Sequence, residues 1–282
     1  MASGANHTED DLVVLWKALS PPHFCRLLTD PSGPESHLLC RVDHTAVDGI
    51  EAIQRQIRRI NLFFAKASLS LSESTYDDRP PSRRVQRNFV MFPGQRPRLD
   101  QGGRLSGASW LTASQEKLKS ITINGGSTTK LDYRCTHAAI LYAKIGKEPP
   151  GGDLYDVAGL ERHVVKRVLN DLLFGMSASS TAIVRIIEEY DPNLKTAGVV
   201  SSIEKKHPLL TPYFGSTIGP SLMFIATEII LQAVEAMHLR GIVGLPRHDS
   251  IILAERYVDP GRIEMMRAAQ RVLGLPLSVS VK

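Results

Sequence analysis

An α+β fold is predicted from three observations. Helical patterns come first along the chain, mixed β and α patterns follow, and no internal repeat is visible. From Asp10 to Cys25, DLVVLWKALS reads as a short helix, broken afterwards by PPHF and TDPSGPES. A second helix begins after Asp48, where Ile53, Ile57, Ile60 and Phe64 recur at helical spacing while Arg55, Arg58 and Arg59 project elsewhere. Residues 72–109 are rich in Pro, Gly and Arg, with Arg79, Arg83, Arg84, Arg87, Arg96, Arg98 and Arg104 inside 26 residues. Two readings of this stretch stand open. Composition favours a solvated linker, whereas interleaved Phe89, Phe92 and Trp110 would suit a strand-like arm that tracks phosphates.

From Lys119, SITING, a turn at Gly125-Gly126 and TTKLDY read as a hairpin whose second strand ends at Asp132, with a helix after it. Beyond the Pro-Pro-Gly-Gly break at 149–152, LERHVVKRVLNDLLFG is an amphipathic helix ending at Gly175. Another helix lies near Thr181 to Tyr190, and a long one runs about Ser221 to Leu239. GIVGLPRHDSIILAER then reads strand, tight turn, strand, and GRIEMMRAAQRVLG reads as a closing helix before a short apolar tail.

The chain has 282 residues, 34 Lys+Arg against 29 Asp+Glu, a net charge of +5 and 43% apolar content. With 22% charged residues, 21 Gly and 17 Pro, neither global disorder nor a low-complexity chain fits, and one large or two small domains are expected. The longest apolar stretch, Ser221 to Met237, contains Glu228, Gln232 and Glu235, so it reads as too short and too charged for a bilayer, and no membrane partner is expected. The opening residues MASGANHTEDD have no apolar core or arginine-rich pattern, which predicts a cytoplasmic protein. Cys25, Cys40 and Cys135 lack C-x-x-C spacing, so reduced, mostly buried thiols are expected rather than disulfides or structural zinc.

Three places carry chemistry. Asp132 sits at a strand end, where side chain and backbone carbonyl can both face a cleft, although such aspartates are usually turn formers. Arg162, Lys166, Asn170 and Phe174 are spaced by four, forming one helical stripe of two cations, an amide and an aromatic ring. That order matches a nucleoside triphosphate, with charge for phosphates and a flat surface for base or sugar; a solvated face is the plain alternative. His248-Asp249 lies in the turn between GIVGL and SIILA, where a hairpin presents a carboxylate rigidly enough to hold a metal. Two strand-borne aspartates beside a cationic helix stripe are what two-metal phosphoryl transfer requires, the ions being about 3.5–4 Å apart.

The order of these elements resembles the palm and fingers of family A DNA polymerases and phage-type single-subunit RNA polymerases. Motif A is matched by LDYRCTHAAILY at Asp132, and motif C, a His-Asp hairpin, by RHDSII. Motif B, the most specific, is Arg, three residues, Lys, seven residues, then Tyr-Gly; Arg162, Lys166, Phe174 and Gly175 reproduce it with Phe for Tyr. DQGGR at 100–104 looks like the D-x-R-G-R element of the RNA polymerases, and HDS is their motif C variant. Sugar choice is left open, because His137 stands where DNA polymerases of the family have Glu and the RNA enzymes have Gly.

The resemblance covers about residues 96–256. Its gaps are short, 30 residues from Asp132 to Arg162 and 83 from Lys166 to Asp249, implying a minimal, divergent member with reduced fingers. It implies a right-hand palm, a small antiparallel sheet with flanking helices. The regions would be 1–75, a mainly helical, thumb-like part; 76–110, an arm; 111–158, palm with motif A; 159–220, reduced fingers; and 221–282, palm with motif C and a closing helix.

The activity implied is template-directed nucleotidyl transfer from nucleoside triphosphates with Mg²⁺ or Mn²⁺, leaning to RNA or primer synthesis. Asp132, Asp249 and the Tyr133 carbonyl would hold metal. Arg162 and Lys166 would hold the triphosphate, with Lys166 protonating pyrophosphate. Asn170 completes the nucleotide-binding stripe, Phe174 would stack at the nascent pair and His137 would sit near the sugar. Arg83, Arg84, Arg87, Arg96, Arg98, Arg104 and His248 would grip template and primer or nascent strand, with an accessory replication or transcription protein as a further partner. The alternatives are a family A-like DNA polymerase and an inactive polymerase-like module that only binds nucleic acid. A metal phosphohydrolase using His248 and Asp249 would need further histidines, with His137, His163 and His207 on hand but at no supporting spacing.

Overall fold

The computed structural model describes residues 12–17, 40–42, 47–70 and 82–282. Arg79, Cys25 and the two Pro-rich breaks ahead of residue 40 lie outside them. The strands are β1 (Val13–Lys17), β2 (Cys40–Val42), β3 (Leu69–Ser70), β4 (Gln86–Met91), β5 (Gly102–Ser106), β6 (Thr122–Ile123), β7 (Gly126–Tyr133), β8 (Gly244–Arg247), β9 (Ser250–Ala254) and β10 (Val279–Val281). The helices are α1 (Ile50–Lys66), α2 (Ser109–Thr112), α3 (Gln115–Lys119), α4 (Thr136–Lys144), α5 (Arg162–Leu173), α6 (Thr181–Tyr190), α7 (Thr196–Lys206), α8 (Gly219–Leu239) and α9 (Val258–Leu273). The result is mixed α and β: a small antiparallel sheet with flanking helices, and a second sheet beside it.

The antiparallel sheet has the order β3-β6-β7-β9-β8, with β10 pairing the end of β7. Ile123 faces Gly126 across the β6–β7 hairpin, so the turn is Asn124-Gly125, both at positive φ (51° and 73°), the pairing a tight two-residue hairpin favours. The turn therefore falls one residue before the expected Gly125-Gly126, and the second strand runs one residue further, to Tyr133.

The other sheet, β2-β1-β4-β5, overturns two expectations. Residues 13–17 form a strand rather than a helix, because β1 lies between β2 and β4 with Val13, Val14 and Leu15 all buried. A strand covered on both faces reads as a continuous apolar run, which periodicity cannot separate from a buried helix. The region before residue 75 thus contributes strands as well as α1. Residues 82–106 are no free arm either, since β4 pairs β1 in parallel and β5 antiparallel, burying Phe89, Val90 and Met91.

Helix α8 is the spine on which both sheets rest. It is long and apolar enough, by length and composition, to cross a membrane, and at 21 residues it exceeds the expected stretch. In this fold Leu222, Ile229, Ile230, Val234 and Met237 are buried in the protein's own core. On one side Phe224 and Glu228 cover the face of β4 carrying Arg87 and Phe89. Trp110, fully buried, meets Phe64 of α1 edge-on and donates from its indole to the Pro246 carbonyl, covering edge strand β8 where a proline is tolerated.

Near the end of α8, His238 stacks on Phe63 of α1 at 3.8 Å between ring centroids and meets Phe64 edge-on. Burial pushes its pKa down to about 4. Above the unfolded value of about 6.5 the ring is neutral in both states; below it the unfolded chain takes up a proton that the folded one refuses until about pH 4. Stability from this site is therefore whole above pH 6.5 and declines as pH falls from 6.5 to 4. His238→Phe is expected to lose less stability between pH 7 and pH 4.5 than the parent, by on the order of 1–2 kcal/mol in denaturant titrations. Equal losses would show that His238 is not the acid-sensitive group.

Candidate active site

Asp132 is the penultimate residue of β7, in register with Ser250 of β9, and Asp249 follows in the β8–β9 turn. Arg247 pairs with Ser250, so His248 and Asp249 alone make the turn, with His248 at φ 57°. A positive φ is uncommon outside glycine but better tolerated by His than by most residues. The Tyr133 amide donates to the Asp249 carbonyl, tying the two strand ends together. The acids are thus brought to one end of the sheet.

After β7 the chain turns through Cys135 at φ 52° into α4, and the first turn of that helix meets the acid. Thr136 donates its hydroxyl to Asp249 Oδ2 at 2.9 Å. His137 follows, with Nδ1 3.4 Å from Asn170 Oδ1 and its ring edge-on to Phe174 at 4.9 Å. Burial lowers the His137 pKa against the pull of Asp249, with Arg104 and Lys166 adding to the lowering. The α4 start therefore bridges the turn acid and the α5 stripe.

Along α5, Arg162 and Lys166 are exposed, Asn170 is half-buried and Phe174 is buried at the helix end. Phe174, expected to stack on a nascent pair, is only 8% exposed, with its ring against Gly219 at the start of α8. A Cβ on Gly219 would lie 2.6 Å from Phe174 Cδ1 and 2.9 Å from its Cα. Gly219→Ala should therefore destabilise the protein by about 1–3 kcal/mol through forced repacking, visible as a lower Tm; an unchanged Tm would show this contact to be slack.

Sequence reasoning missed several groups here. Asp153, in the loop before α5, accepts from Arg162 at 2.7 Å, from the Tyr155 amide and from the Cys135 thiol. Burial would raise the Asp153 pKa, but these donors hold it at about 2, while burial pushes the Cys135 thiol up to about 11. The Arg162 guanidinium also lies over the Tyr155 ring at 5.1 Å. Lys282, after β10, places its ammonium on Asp132 Oδ2. Lys130, two residues before Asp132, has its pKa lowered by burial first, then by Lys282 and Arg247, with both acids opposing. Position in the chain signals none of these pairings.

The arginines divide. Arg104 of β5 reaches the turn, its guanidinium 2.7 Å from His248 Nδ1. Desolvation first, then Arg104 and Arg247, push His248 down to about 4, so a neutral ring faces that guanidinium. Arg83 instead donates to the Ala67 and Leu69 carbonyls and anchors β3, while Arg84 is exposed. Arg96 and Arg98 line an open cleft of about 820 Å³ with Val47, Asp48 and Ile53, and Arg98 is ion-paired with Asp100. Arg87 is a correction: expected to grip nucleic acid, it is fully buried, donating to the Gly103 carbonyl and paired with Glu228 at 2.6 Å. Its guanidinium is also flanked by the Phe89 and Phe224 rings.

Among the described residues, His207 and His163 have partners of their own away from the turn acid. His207 is buried between the Tyr142 hydroxyl and the Leu154 carbonyl, and His163 meets Tyr190 edge-on. Among the described residues no group of three or more His, Cys, Asp or Glu side chains could hold a metal ion.

Neither a protein-family model nor a curated protein matches this chain. Among solved structures it is similar to the POL domain of Pol1 from M. smegmatis in complex with DNA primer-template and dNTP, at a TM-score of 0.41 and 12% identity. The similarity covers 64% of this chain and 45% of that one, so the chain matches less than half of that protein's length. A likeness at that level assigns neither a family nor an activity.

Proposed function

We propose that the chain is a template-directed nucleotidyltransferase with a minimal palm, β6–β9 and α4, and reduced fingers, α5–α7. One observation supports this: Thr136 holds the turn acid Asp249 while its neighbour His137 meets Asn170 and Phe174, so the start of α4 links that acid to the inner end of the α5 stripe. The donors at the acid end are two carboxylates and the Tyr133 carbonyl, hard oxygens that suit Mg²⁺ or Mn²⁺ better than a soft or imidazole-seeking ion. Such ions would supply charge neutralisation for the attacking oxygen and the departing pyrophosphate.

The protein's own groups would do the rest. Thr136 fixes the Asp249 carboxylate, leaving its other oxygen for a cation. Arg162 would exchange Asp153 for a phosphate, a cheap exchange for a pair whose side chains are 52% and 34% exposed. Lys166, exposed one turn on, would hold phosphate and protonate pyrophosphate. His137, neutral and backed by Asn170 and Phe174, would form the wall beside the sugar. Arg104 and His248 border the turn and would bear on the template backbone, with Arg84 and Arg96 as exposed outlying contacts. RNA or primer synthesis is the favoured product and DNA synthesis the alternative.

A second reading, a module that binds nucleic acid without catalysis, draws on the Lys282–Asp132 pair, since a compensated carboxylate needs no metal. Primer extension with ribo- and deoxynucleotides, with Asp249→Asn as control, separates the two. Template-dependent incorporation lost in that variant supports catalysis. No incorporation, with binding that needs neither divalent ion nor triphosphate and falls with salt, supports the binding module.

A further inference from the structure

We infer that Lys282 is an intramolecular counter-cation that competes with divalent metal for Asp132 and so sets the cation affinity of the acid pair; this rests on the acid-pair reading above. Strand β10 lies antiparallel along the end of β7, with Val279 opposite Tyr133, Ser280 opposite Asp132 and Val281 opposite Leu131. Lys282 continues that register through two backbone hydrogen bonds with Lys130, its amide donating to the Lys130 carbonyl and its carbonyl accepting from the Lys130 amide. Thr129 adds a hydroxyl donor to the same Lys282 carbonyl, and Ser280 donates its hydroxyl to the Asp132 carbonyl. The lysine backbone is therefore pinned, and its side chain can reach back along the strand to Asp132 Oδ2.

Exposure shows which partner is free to leave. The Lys282 side chain is 52% exposed and the Asp132 side chain 12%, so the ammonium lies over a recessed carboxylate from the solvent side. A solvent-facing ion pair of this kind contributes little stability and yields readily to a better ligand. A divalent ion on Asp132 and an ammonium on the same oxygen repel strongly at contact distance, so they exclude one another. Lys130 deepens the effect, because it lies in the field of both acids, and Arg247 lies in that of Asp249. Any cation that binds there does so against three protein cations, and Lys282 is the one in direct contact with a carboxylate.

The test is Mn²⁺ binding to the full chain, followed by loss of the free-ion paramagnetic resonance signal, without nucleotide or template. Lys282→Met is expected to bind Mn²⁺ about tenfold more tightly than the parent, since it removes one like charge at contact range. Lys282→Arg, which keeps the charge, should stay near the parent. Adding Asp132→Asn to Lys282→Met should abolish the tight binding. Equal affinity in the parent and Lys282→Met overturns the counter-cation role and leaves the acid-pair site standing. Tightening by Lys282→Arg as large as that of Lys282→Met also overturns it, because charge would then not be the cause. Absence of Mn²⁺ binding in every variant overturns the acid-pair reading and the competition with it.

Discussion

Asp249→Asn is expected to lower nucleotide incorporation by about a thousandfold or more in single-turnover primer extension, while leaving the fold intact. The asparagine keeps the side-chain volume, and its carbonyl oxygen can still accept from the Thr136 hydroxyl, so the turn and the α4 start stay where they are. What it loses is the negative charge that a divalent ion would need in the proposed two-carboxylate site. Metal-borne charge stabilisation in phosphoryl transfer is worth several kcal/mol, and each 1.36 kcal/mol is about a factor of ten in rate. Residual incorporation within about tenfold of the parent would show that Asp249 is a turn residue and no more. Thermal unfolding of the same variant guards the interpretation, because a large drop in Tm would mean that structure, rather than chemistry, had been removed.

The second large effect is on stability. Arg87→Ala is expected to destabilise the protein by about 3–5 kcal/mol, measured by chemical denaturation, because it removes a fully buried guanidinium packed against Phe89 and Phe224 and leaves the partly exposed Glu228 without its partner. It also removes the donor to the Gly103 carbonyl and opens a cavity under β5. The double replacement Arg87→Met with Glu228→Leu should recover most of that loss, since a buried ion pair is often replaceable by well-packed apolar groups of similar volume. A loss under about 1 kcal/mol for Arg87→Ala would show that the pair is hydrated and adds little.

Local patterns were good guides where an element's neighbours matter least. The amphipathic runs of α1, α5 and α6, the long apolar α8 and the β8–β9 turn stand close to their expected places, because period and turn chemistry are local properties. The first sheet was opaque for the opposite reason. β1 opens with three consecutive apolar residues because Val13, Val14 and Leu15 are all covered, and β4 carries an arginine in its buried face because Glu228, 141 residues later, neutralises it. Seven arginines counted along a line looked like one surface, yet the six among the described residues separate into a buried pair, a strand anchor, an exposed side chain, a cleft edge and a contact with His248. At the site, a strand end picked out Asp132, a turn Asp249, a spacing of four the α5 stripe and the resemblance alone His137, and the start of α4 links Asp249 to the inner end of that stripe. Their helpers Thr136, Asp153, Lys130 and Lys282 were silent, since a hydroxyl, a loop acid or a lysine is ordinary anywhere in a sequence and acquires meaning only from what faces it.

Helix α8 ties together parts of the molecule that the chain visits at widely separated points. At its first residue Gly219 touches Phe174; two turns on Glu228 reaches Arg87; near its end His238 lies against α1. At about 1.5 Å of rise per residue, these three fastenings spread along a single rod of about 30 Å. A rod fastened at three points couples the end of α5, the first sheet and α1, so these parts are expected to move together. The loop carrying Asp153 and the first turn of α5 lie away from these fastenings, held to one another by the exposed Arg162–Asp153 pair.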